Sequence, residues 1–288
     1  MTVPAGPVGL ATGQRFVDLH SHSTASDGAA APADVVAAAR RAHLTAIALT
    51  DHDTLGGVAE AMAAGARLGV RVVAGAELSA YDGDKEVHLL ALHLADPAAV
   101  DAELARFREG RRDRAEAMVA RLNALDVPVT LDAVLQAAGD GAVGRPHVAR
   151  ALVAAGAVRD FREAFDRYLG AGRPAFVPKE YLSVRDAARL THDAGGLLVF
   201  AHPGADGTRE RVARMVADGL DGLEVVHPSQ SPDEQARLRV LADEFELVYS
   251  GGSDWHGAPE GMRMLGGMRV PHAWLERQDE RVAALRSA

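Results

Sequence analysis

The chain has 288 residues, 48% hydrophobic and 25% charged, which is enough apolar sequence for a large core and excludes a mostly disordered protein. Its net charge of -9 argues against a protein that holds nucleic acid through a broad basic surface, because such a surface neutralises many phosphates with Lys and Arg, but it allows a small anionic ligand in a local positive pocket. The chain has no cysteine, so disulfides and thiolate metal sites are excluded and any metal must take nitrogen and oxygen ligands.

The first residues, MTVPAGPVGLATGQ, have neither the charged segment nor the continuous apolar core of a signal peptide. No run of about 18 apolar residues follows them, so no membrane-spanning helix is predicted. We therefore expect a cytoplasmic protein that does not act on a membrane.

Short β-type runs alternate with Ala- and Arg-rich segments of helical spacing along most of the chain. This alternation predicts a largely parallel sheet, either open or closed into a barrel. Strands are predicted over residues 16–22, 44–53, 71–80, 86–94, 196–203, 220–228 and 247–256. Helices are predicted between them, over residues 32–42, 56–69, 183–195, 208–219 and 231–245.

Between residues 97 and 180 the alternation stops and only helical spacing remains, beginning with a long helix over 101–125. We predict two regions: a barrel formed by residues 1–96 and 181–288, and a helical insertion over 97–180 that caps it. The Arg-rich part of the long helix also carries Glu and Asp, which favours a solvated, ion-paired face over a surface that follows RNA.

Nearly all of the predicted strands end with a His, Asp or Glu after their apolar residues. In a barrel of parallel strands the carboxyl ends form the face where active sites lie, so these side chains would meet there. This pattern favours a closed barrel over an open sheet.

His20 and His22 are two residues apart, so on a strand both rings point to the same face and can hold one ion. Asp254 and His256 repeat that spacing on the last predicted strand. Buried carboxylates and imidazoles without partners are costly, and bound cations are the simplest compensation. The candidate metal ligands are His20, His22, Asp27, His52, Glu77, His88, His202, Asp254 and His256.

The motifs that carry these residues resemble, as a set and in order, those of the PHP family of polymerase and histidinol phosphatase metal-dependent phosphoesterases. They are DLHSHSTASDG, ALTDHDTLGG, GAELS, EVHLLAL, VFAHPG and GSDWHG, and they extend from Asp18 to Gly257. The insertion, with GRPHVARALV, is similar to the branch that contains 3′,5′-nucleoside bisphosphate phosphatases and 5′→3′ oligoribonucleases.

The resemblance implies a distorted, TIM-like (β/α)7 barrel with a helical insertion and two or three divalent ions, with manganese expected and iron or zinc as alternatives. It implies a first ion held by His20, His22, Glu77 and Asp254, a second held by Asp27, His52 and His256, and a third that Glu77 shares with His88 and His202. Adjacent ions lower the pKa of a bridging water to give hydroxide near neutral pH, so no protein nucleophile is required. The sequence agrees, because it has no cysteine and no Gly-x-Ser-x-Gly elbow.

Three residues of the insertion are candidates for binding a substrate phosphate. Arg145 and His147 lie in GRPH, and Lys179 lies in FVPKEY. The planar guanidinium of Arg suits a phosphate, but a salt bridge at the start of a helix would explain GRPH equally well. His227, in VVHPS, is expected near the metals without binding one.

The expected activity is hydrolysis of a phosphate monoester, the 3′-phosphate of 3′,5′-nucleoside bisphosphates, together with 5′→3′ trimming of short RNA. The expected partners are a small phosphorylated nucleotide or short RNA, without an extended nucleic-acid surface. The alternatives are a PHP enzyme for histidinol phosphate, a sugar phosphate or a cyclic phosphodiester, a metal-binding module without turnover, and a metal-dependent C–N amidohydrolase.

Overall fold

A computed structural model describes residues 14–138, 143–178 and 182–287. The described residues divide into two compact units, one within Met1–Pro97 and Val184–Ala288 and the other within Ala98–Ser183. The capping of the barrel by residues 97–180 stays a prediction. Lys179, one of the candidate phosphate ligands, lies outside the described residues.

The first unit is built on a twisted sheet whose strands come from both ends of the chain. The strands of this unit are β1 (Phe16–Asp18), β2 (Ala46–Leu49), β3 (Arg71–Asp82), β4 (Lys85–Leu92), β6 (Leu197–Phe200), β7 (Gly222–Val226), β8 (Val248–Gly251) and β9 (Val270–Pro271), while the two-residue strand β5 (Leu182–Ser183) belongs to the second unit. Within this unit their order across the sheet is β8-β7-β6-β4-β3-β2-β1-β9. β9 is a short strand paired antiparallel with β1.

The sheet is a nearly closed barrel, because the residues that follow β1 pair with β8 and the residues after it. The amide of Leu19 donates to the carbonyl of Gly251 at 3.0 Å, and the amide of His22 donates to the carbonyl of Trp255 at 2.9 Å. A parallel bridge between Ser21 and Trp255 continues this pairing. The predicted fold class, a distorted α/β barrel, is therefore confirmed.

β4 departs from the predicted parallel arrangement, since it is antiparallel to both of its neighbours, β3 and β6. Only Gly83 and Asp84 link β3 to β4, and Gly83 has a φ of 66° that suits a tight turn. Two residues suffice for a hairpin, whereas a parallel crossover needs a dozen or more. His88 consequently lies inside β4, opposite Ser79, instead of following the carboxyl end of a parallel strand.

Ten α-helices alternate with these strands or form the second unit, counted over the described residues. They are α1 (Pro32–Arg41), α2 (Val58–Leu68), α3 (Pro97–Asn123), α4 (Leu131–Ala138), α5 (Arg145–Ala154), α6 (Phe161–Ala164), α7 (Val184–Asp193), α8 (Arg209–Ala217), α9 (Pro232–Glu244) and α10 (His272–Arg286). None of the helices in the described part of the chain is long and apolar enough to cross a bilayer.

Each unit buries its own apolar core. In the first, Val36 of α1, Ile47 of β2 and Ala61 of α2 belong to one buried cluster. In the second, Met118 of α3 and Leu152 of α5 belong to another. The residues of each of these two clusters come from one unit only.

Closure of the barrel requires glycine at position 252, directly after β8. A Cβ there would lie 2.5 Å from the backbone nitrogen of His20 and 2.9 Å from Asp18 Oδ1. We expect Gly252→Ala to lower the free energy of unfolding by about 1–3 kcal/mol, because the backbone around His20 must shift. Urea unfolding of the metal-free protein measures this, with Gly56→Ala as the control, since a Cβ at Gly56 meets only Thr54 Oγ1 at 3.4 Å. Equal midpoints for the two variants would contradict the prediction.

Candidate metal centre

Glu77 lies in the interior of β3 and is surrounded by histidines from four other segments of the chain. It is 1% exposed, so its carboxylate is almost completely removed from solvent. Its Oε2 lies 3.2 Å from Nε2 of His20, 3.2 Å from Nε2 of His22 and 3.3 Å from Nδ1 of His52; its Oε1 lies 2.7 Å from Nδ1 of His88 and 3.0 Å from Nε2 of His202. One carboxylate therefore faces five imidazoles, three on one oxygen and two on the other.

Asp254 completes a group of four potential ligands around Glu77 Oε2. Its Oδ1 lies 3.5 Å from His20 Nε2 and 3.3 Å from His22 Nε2. One ligand atom from each of His20, His22, Glu77 and Asp254 lies within 4.8 Å of the other three. These four residues were predicted as the ligands of one ion, and the structure brings them together.

A second group contains Asp27, His52, His256 and His22, again with ligand atoms within 4.8 Å of one another. Asp27 Oδ1 lies 3.2 Å from His256 Nε2, and Asp27 Oδ2 lies 3.8 Å from His52 Nε2. A neutral imidazole offers one lone pair, so His22 cannot use both ring nitrogens for ions. His22 Nε2 faces Glu77 and Asp254, and the other three members, Asp27, His52 and His256, are those predicted as ligands of the second ion.

A third group contains His52, Glu77 and His88. His202 reaches the same carboxylate through Glu77 Oε1, so it adjoins this group. His52 thus stands between two groups, with Nδ1 towards Glu77 and Nε2 towards Asp27. All nine candidate ligands, called the Glu77 cluster below, lie in the first unit and in continuous contact.

A buried carboxylate shapes the loop that carries Asp27. Asp51 is 1% exposed and accepts hydrogen bonds from the amide of Ser23 at 2.7 Å, from the hydroxyl of Ser23 at 2.7 Å and from the hydroxyl of Ser26 at 2.8 Å. The loop then turns back at Gly28, where a Cβ would lie 2.6 Å from the carbonyl carbon of His22. Glycine at 28 and the carboxylate at 51 together return Asp27 to the histidines.

Two further aspartates fix other segments that carry candidate ligands. Asp53 accepts from the amide of Ser79 at 2.8 Å and from its hydroxyl at 2.9 Å, which fixes the residues after β2 against β3. Asp18, which is fully buried, accepts from the amides of Ser253 and Gly266, each at 2.9 Å. Asp18 therefore holds the segment that carries Asp254 and His256.

The electrostatics of the cluster favour ionised carboxylates despite their burial. Burial alone would raise the pKa of Glu77, but the charge of His20 and the hydrogen bonds with His20 and His202 outweigh it and hold that pKa well below its usual range. The hydrogen bond with His256 lowers the pKa of Asp27 to about 2, and the same contact raises the pKa of His256 to about 9. Asp27, Glu77 and Asp254 are accordingly ionised, and the imidazoles beside them, among them His20 and His256, carry the compensating charge in the metal-free protein.

The residues present fit divalent cations. His22 is fully buried, and neither ring nitrogen makes a well-oriented hydrogen bond to another described residue, although Nε2 lies 3.2 Å from Glu77 Oε2. A buried imidazole without a partner is costly, and a cation at Nε2 would remove that cost. The donors around it are imidazole nitrogens and carboxylate oxygens without thiolates, a set that suits manganese, iron or zinc.

Sequence reasoning missed one member of this region, Glu224 of β7. Glu224 is fully buried, and its Oε1 lies 3.0 Å from Nδ1 of His20. Burial would raise its pKa, but the neighbouring His20 and His227 lower it below the usual range. The only signal in the sequence was a single acidic residue within the otherwise apolar run GLEVV. In the structure every residue of this run is buried.

His227 lies beside the cluster, as expected, and its hydrogen bonds define its tautomer. Its Nδ1 accepts from the amide of Ser229 at 3.1 Å, so in the neutral ring the proton is on Nε2. That nitrogen lies 3.4 Å from Asp254 Oδ2, while Arg263 donates to the same oxygen at 2.9 Å. His227 and Arg263 therefore orient the side of Asp254 that faces away from His20 and His22.

The second unit holds the candidate phosphate ligands that the structure describes. The guanidinium of Arg145 lies 5.8 Å from the ring centroid of Phe165 and 5.6 Å from that of Phe176. Among the described residues no carboxylate pairs with Arg145. His147 uses Nδ1 to accept from the amide of Gly144 at 3.0 Å, which satisfies a free amide at the start of α5.

Comparison with known proteins places the chain in a family. The model of the PHP domain matches residues 18–123. A 3′,5′-nucleoside bisphosphate phosphatase from Chromobacterium violaceum is 41% identical over 260 residues, which cover 87% of this chain and 90% of that protein. The 5′-3′ exoribonuclease Rnm of Escherichia coli is 34% identical, covering 83% and 84% of the two chains. A phosphoribosyl 1,2-cyclic phosphate 1,2-diphosphodiesterase from Eggerthella lenta is 33% identical, covering 83% and 94%.

Solved structures give the same result. A protein from Bifidobacterium adolescentis described as a metal-dependent phosphoesterase superposes with a TM-score of 0.69 at 35% identity, covering 93% of this chain and 96% of that one. An amidohydrolase from Chromobacterium violaceum, solved with bound sulfate and no metal, superposes with a TM-score of 0.67 at 36% identity and the same coverage. With the barrel, the histidine-rich cluster and relatives of this similarity, the chain belongs to the PHP family of metal-dependent phosphoesterases.

Proposed function

We propose that this protein removes the 3′-phosphate from 3′,5′-nucleoside bisphosphates at the Glu77 cluster. The observation that carries the proposal is the buried Glu77 carboxylate within contact distance of five imidazoles, which is an arrangement for binding several cations close together. The substrate class rests on similarity to a 3′,5′-nucleoside bisphosphate phosphatase that is 41% identical over most of both chains.

In this proposal the cluster holds two or three divalent ions, with manganese preferred and iron or zinc as alternatives. His20, His22, Glu77 and Asp254 hold the first, Asp27, His52 and His256 the second, and Glu77 with His88 and His202 the third. Such ions lower the pKa of bound water and neutralise charge that develops on phosphoryl oxygens. The geometric groups around Glu77 support this division, since each set of residues lies together.

The chain itself contributes negative charge and fixed donor directions. Asp27, Glu77 and Asp254 bring three carboxylates into one region, and this negative charge favours the binding of cations. Once cations are bound, the site can accept an anionic phosphate. His227 and Arg263 hold Asp254 Oδ2, which leaves Oδ1 directed at His20 and His22. No protein side chain has to attack the substrate.

A second candidate activity is 5′→3′ degradation of short RNA. Its support is the similarity to exoribonucleases from Escherichia coli and Haemophilus influenzae, which are 34% and 35% identical to this chain. Both activities hydrolyse a phosphate ester of a nucleotide, so one set of metal ligands serves both. We infer that the protein acts in the cytoplasm, where nucleotides and short RNA are produced.

Arg145 is proposed to bind the phosphate that is not hydrolysed. Its guanidinium packs near Phe165 and Phe176 and has no carboxylate partner among the described residues, which argues against the alternative of a salt bridge at the helix start. Cation–π contacts hold the side chain in place while its N–H groups keep their capacity to donate. His147 is committed to Gly144 through Nδ1, so its proposed contact with substrate would use Nε2. The proposed role of Lys179 in binding a substrate phosphate rests on its position in the sequence alone.

The activity is tested with a panel of phosphate esters in the presence of Mn²⁺. We expect adenosine 3′,5′-bisphosphate to yield phosphate and adenosine 5′-monophosphate faster than a cyclic ribose phosphodiester or an amide is hydrolysed, with loss of turnover after chelation and recovery on addition of Mn²⁺. Release of 5′-mononucleotides from a short 5′-phosphorylated RNA would add the second activity. Turnover of the amide alone, or no Mn²⁺-dependent turnover of any ester, would contradict the proposal.

Glu77→Gln tests the shared carboxylate. An amide cannot supply two anionic oxygens, so the variant should bind at least one ion fewer than the wild type and lose about 100-fold or more in turnover. Elemental analysis after Mn²⁺ reconstitution and phosphate release measure the two effects. Glu210→Gln, an exposed change on α8, is the control and should bind metal and turn over normally. A Glu77→Gln variant with full metal content would refute the ligand assignment.

Arg145→Ala tests how the second phosphate is held. A charged hydrogen bond is worth about 1.5–3 kcal/mol, so kcat/KM for the bisphosphate should fall about tenfold or more. p-Nitrophenyl phosphate has no second phosphate, and its hydrolysis should be spared. Arg150→Ala, an exposed change on the same helix α5, is the control. Equal losses on both substrates, or no loss on either, would remove Arg145 from this role.

A further inference from the structure

Glu224 has hydrogen bonds to two different candidate ligands through its two carboxylate oxygens. Oε1 lies 3.0 Å from Nδ1 of His20, and Oε2 accepts from the backbone amide of His202 at 2.6 Å. The two ligands it contacts belong to different proposed ions, since His20 faces Glu77 Oε2 and His202 faces Glu77 Oε1. Glu224 is not a ligand in the proposed scheme, although one ligand atom from each of His20, Glu224 and His227 lies within 4.8 Å of the other two.

The contact with His20 determines which nitrogen of that ring can bind a cation. Because a carboxylate only accepts, His20 donates from Nδ1–H, so in the neutral ring the lone pair is on Nε2. Nε2 is the atom that lies 3.2 Å from Glu77 and 3.5 Å from Asp254. The carboxylate of Glu224 thus selects the tautomer that points a donor atom into the cluster.

The contact with His202 supports a backbone conformation that is uncommon for a residue with a side chain. His202, two residues after the end of β6, has a φ of 31°, and Glu224 Oε2 accepts its amide proton. The rest of β7 keeps Glu224 in place: the residue pairs with Ser250 of β8, and its carbonyl accepts from Gln230 Nε2 at 3.0 Å. Glu224 is therefore held in place and forms hydrogen bonds to two segments that carry candidate ligands.

We propose that Glu224 is a positioning residue that holds His20 and His202 in metal-binding geometry, and so couples two ion sites of the Glu77 cluster. This inference rests on the proposed metal-dependent function. It predicts that removing the second carboxylate oxygen weakens metal binding even though no ligand is changed.

Glu224→Gln separates the two contacts, because a side-chain amide has one oxygen and one NH₂ group. If the oxygen faces His20, the NH₂ group meets the amide proton of His202 and two donors oppose each other. If the oxygen faces His202, the NH₂ group faces His20 Nδ1 and favours the tautomer with the proton on Nε2, which cannot bind a cation. Either orientation loses one of the two ligands.

Asp221→Asn is a matched control on the same segment of chain. Asp221 is 3% exposed, precedes β7, and its Oδ2 likewise accepts from a backbone amide, that of Leu198 at 2.9 Å, and contacts an imidazole nitrogen, His192 Nε2, at 2.6 Å. His192 belongs to α7 and is not a candidate ligand. The control therefore replaces a buried carboxylate that contacts a backbone amide and an imidazole by an amide, without touching the Glu77 cluster.

The experiment measures Mn²⁺ affinity of the full chain by chelator competition, alongside urea unfolding of the metal-free proteins. We expect Glu224→Gln to weaken Mn²⁺ binding by about 10–100-fold and Asp221→Asn to leave it unchanged. Glu224→Asp keeps the charge but is one methylene shorter, so it should weaken binding in the same direction while folding more readily than Glu224→Gln.

The outcomes are distinct. Wild-type affinity in both Glu224 variants would overturn the positioning role while leaving the proposed function intact. Equal weakening in Asp221→Asn would show a general loss of stability and would also overturn it. Failure of the wild type itself to bind Mn²⁺ would overturn the proposed function together with this inference.

Discussion

The structure depends on one buried carboxylate that five imidazoles share. Glu77 sits inside the barrel with 1% exposure, and its partners follow or belong to β1, β2, β4 and β6. A carboxylate buried among apolar groups alone would be protonated or would remain at the surface. The burial of ionised Glu77 therefore requires the histidines around it. The same histidines make the site suited to cations, since the imidazoles that offset the negative charge of Glu77 in the metal-free protein can become metal ligands.

A layer of carboxylates outside the histidines keeps this arrangement rigid. Asp18, Asp51, Asp53 and Glu224 each accept backbone amide protons from segments that carry candidate ligands. Several residues here have positive φ, among them Asp53 at 50°, His202 at 31° and Asp254 at 53°. Such conformations persist only when surrounding contacts over-determine them, and these carboxylates supply the contacts. The layer explains why the ligand motifs contain more aspartates than the metals require.

The sequence was sufficient for β1 to β4, for β6 to β8 and for the helices between them, but not for β9 and α10, for the direction of β4 or for the supporting layer. Spacing of apolar residues identifies β4 as a strand yet carries no information on its direction, which the two-residue link at Gly83 and Asp84 decides. Glu224 was missed because its run is apolar on both sides and its partners are 204 residues and 22 residues away in the chain. Arg145 was open between two roles because sequence does not show that Phe165 and Phe176 lie beside it.

The division of the chain gives a reason why one cluster can serve relatives with different substrates. The Glu77 cluster is assembled wholly from residues of the first unit. The relatives of the whole chain include a bisphosphate phosphatase, an exoribonuclease and a cyclic phosphodiesterase. Metal ligands act on the phosphoryl group that all of these substrates have in common, so they cannot distinguish a nucleotide from a ribose phosphate. Discrimination must come from groups that contact the rest of the substrate, and a polar site rejects a molecule that leaves its donors unpaired. Arg145, which lies near Phe165 and Phe176 and has no carboxylate partner among the described residues, is the group proposed for that contact, whereas another metal ligand in the barrel could not supply it.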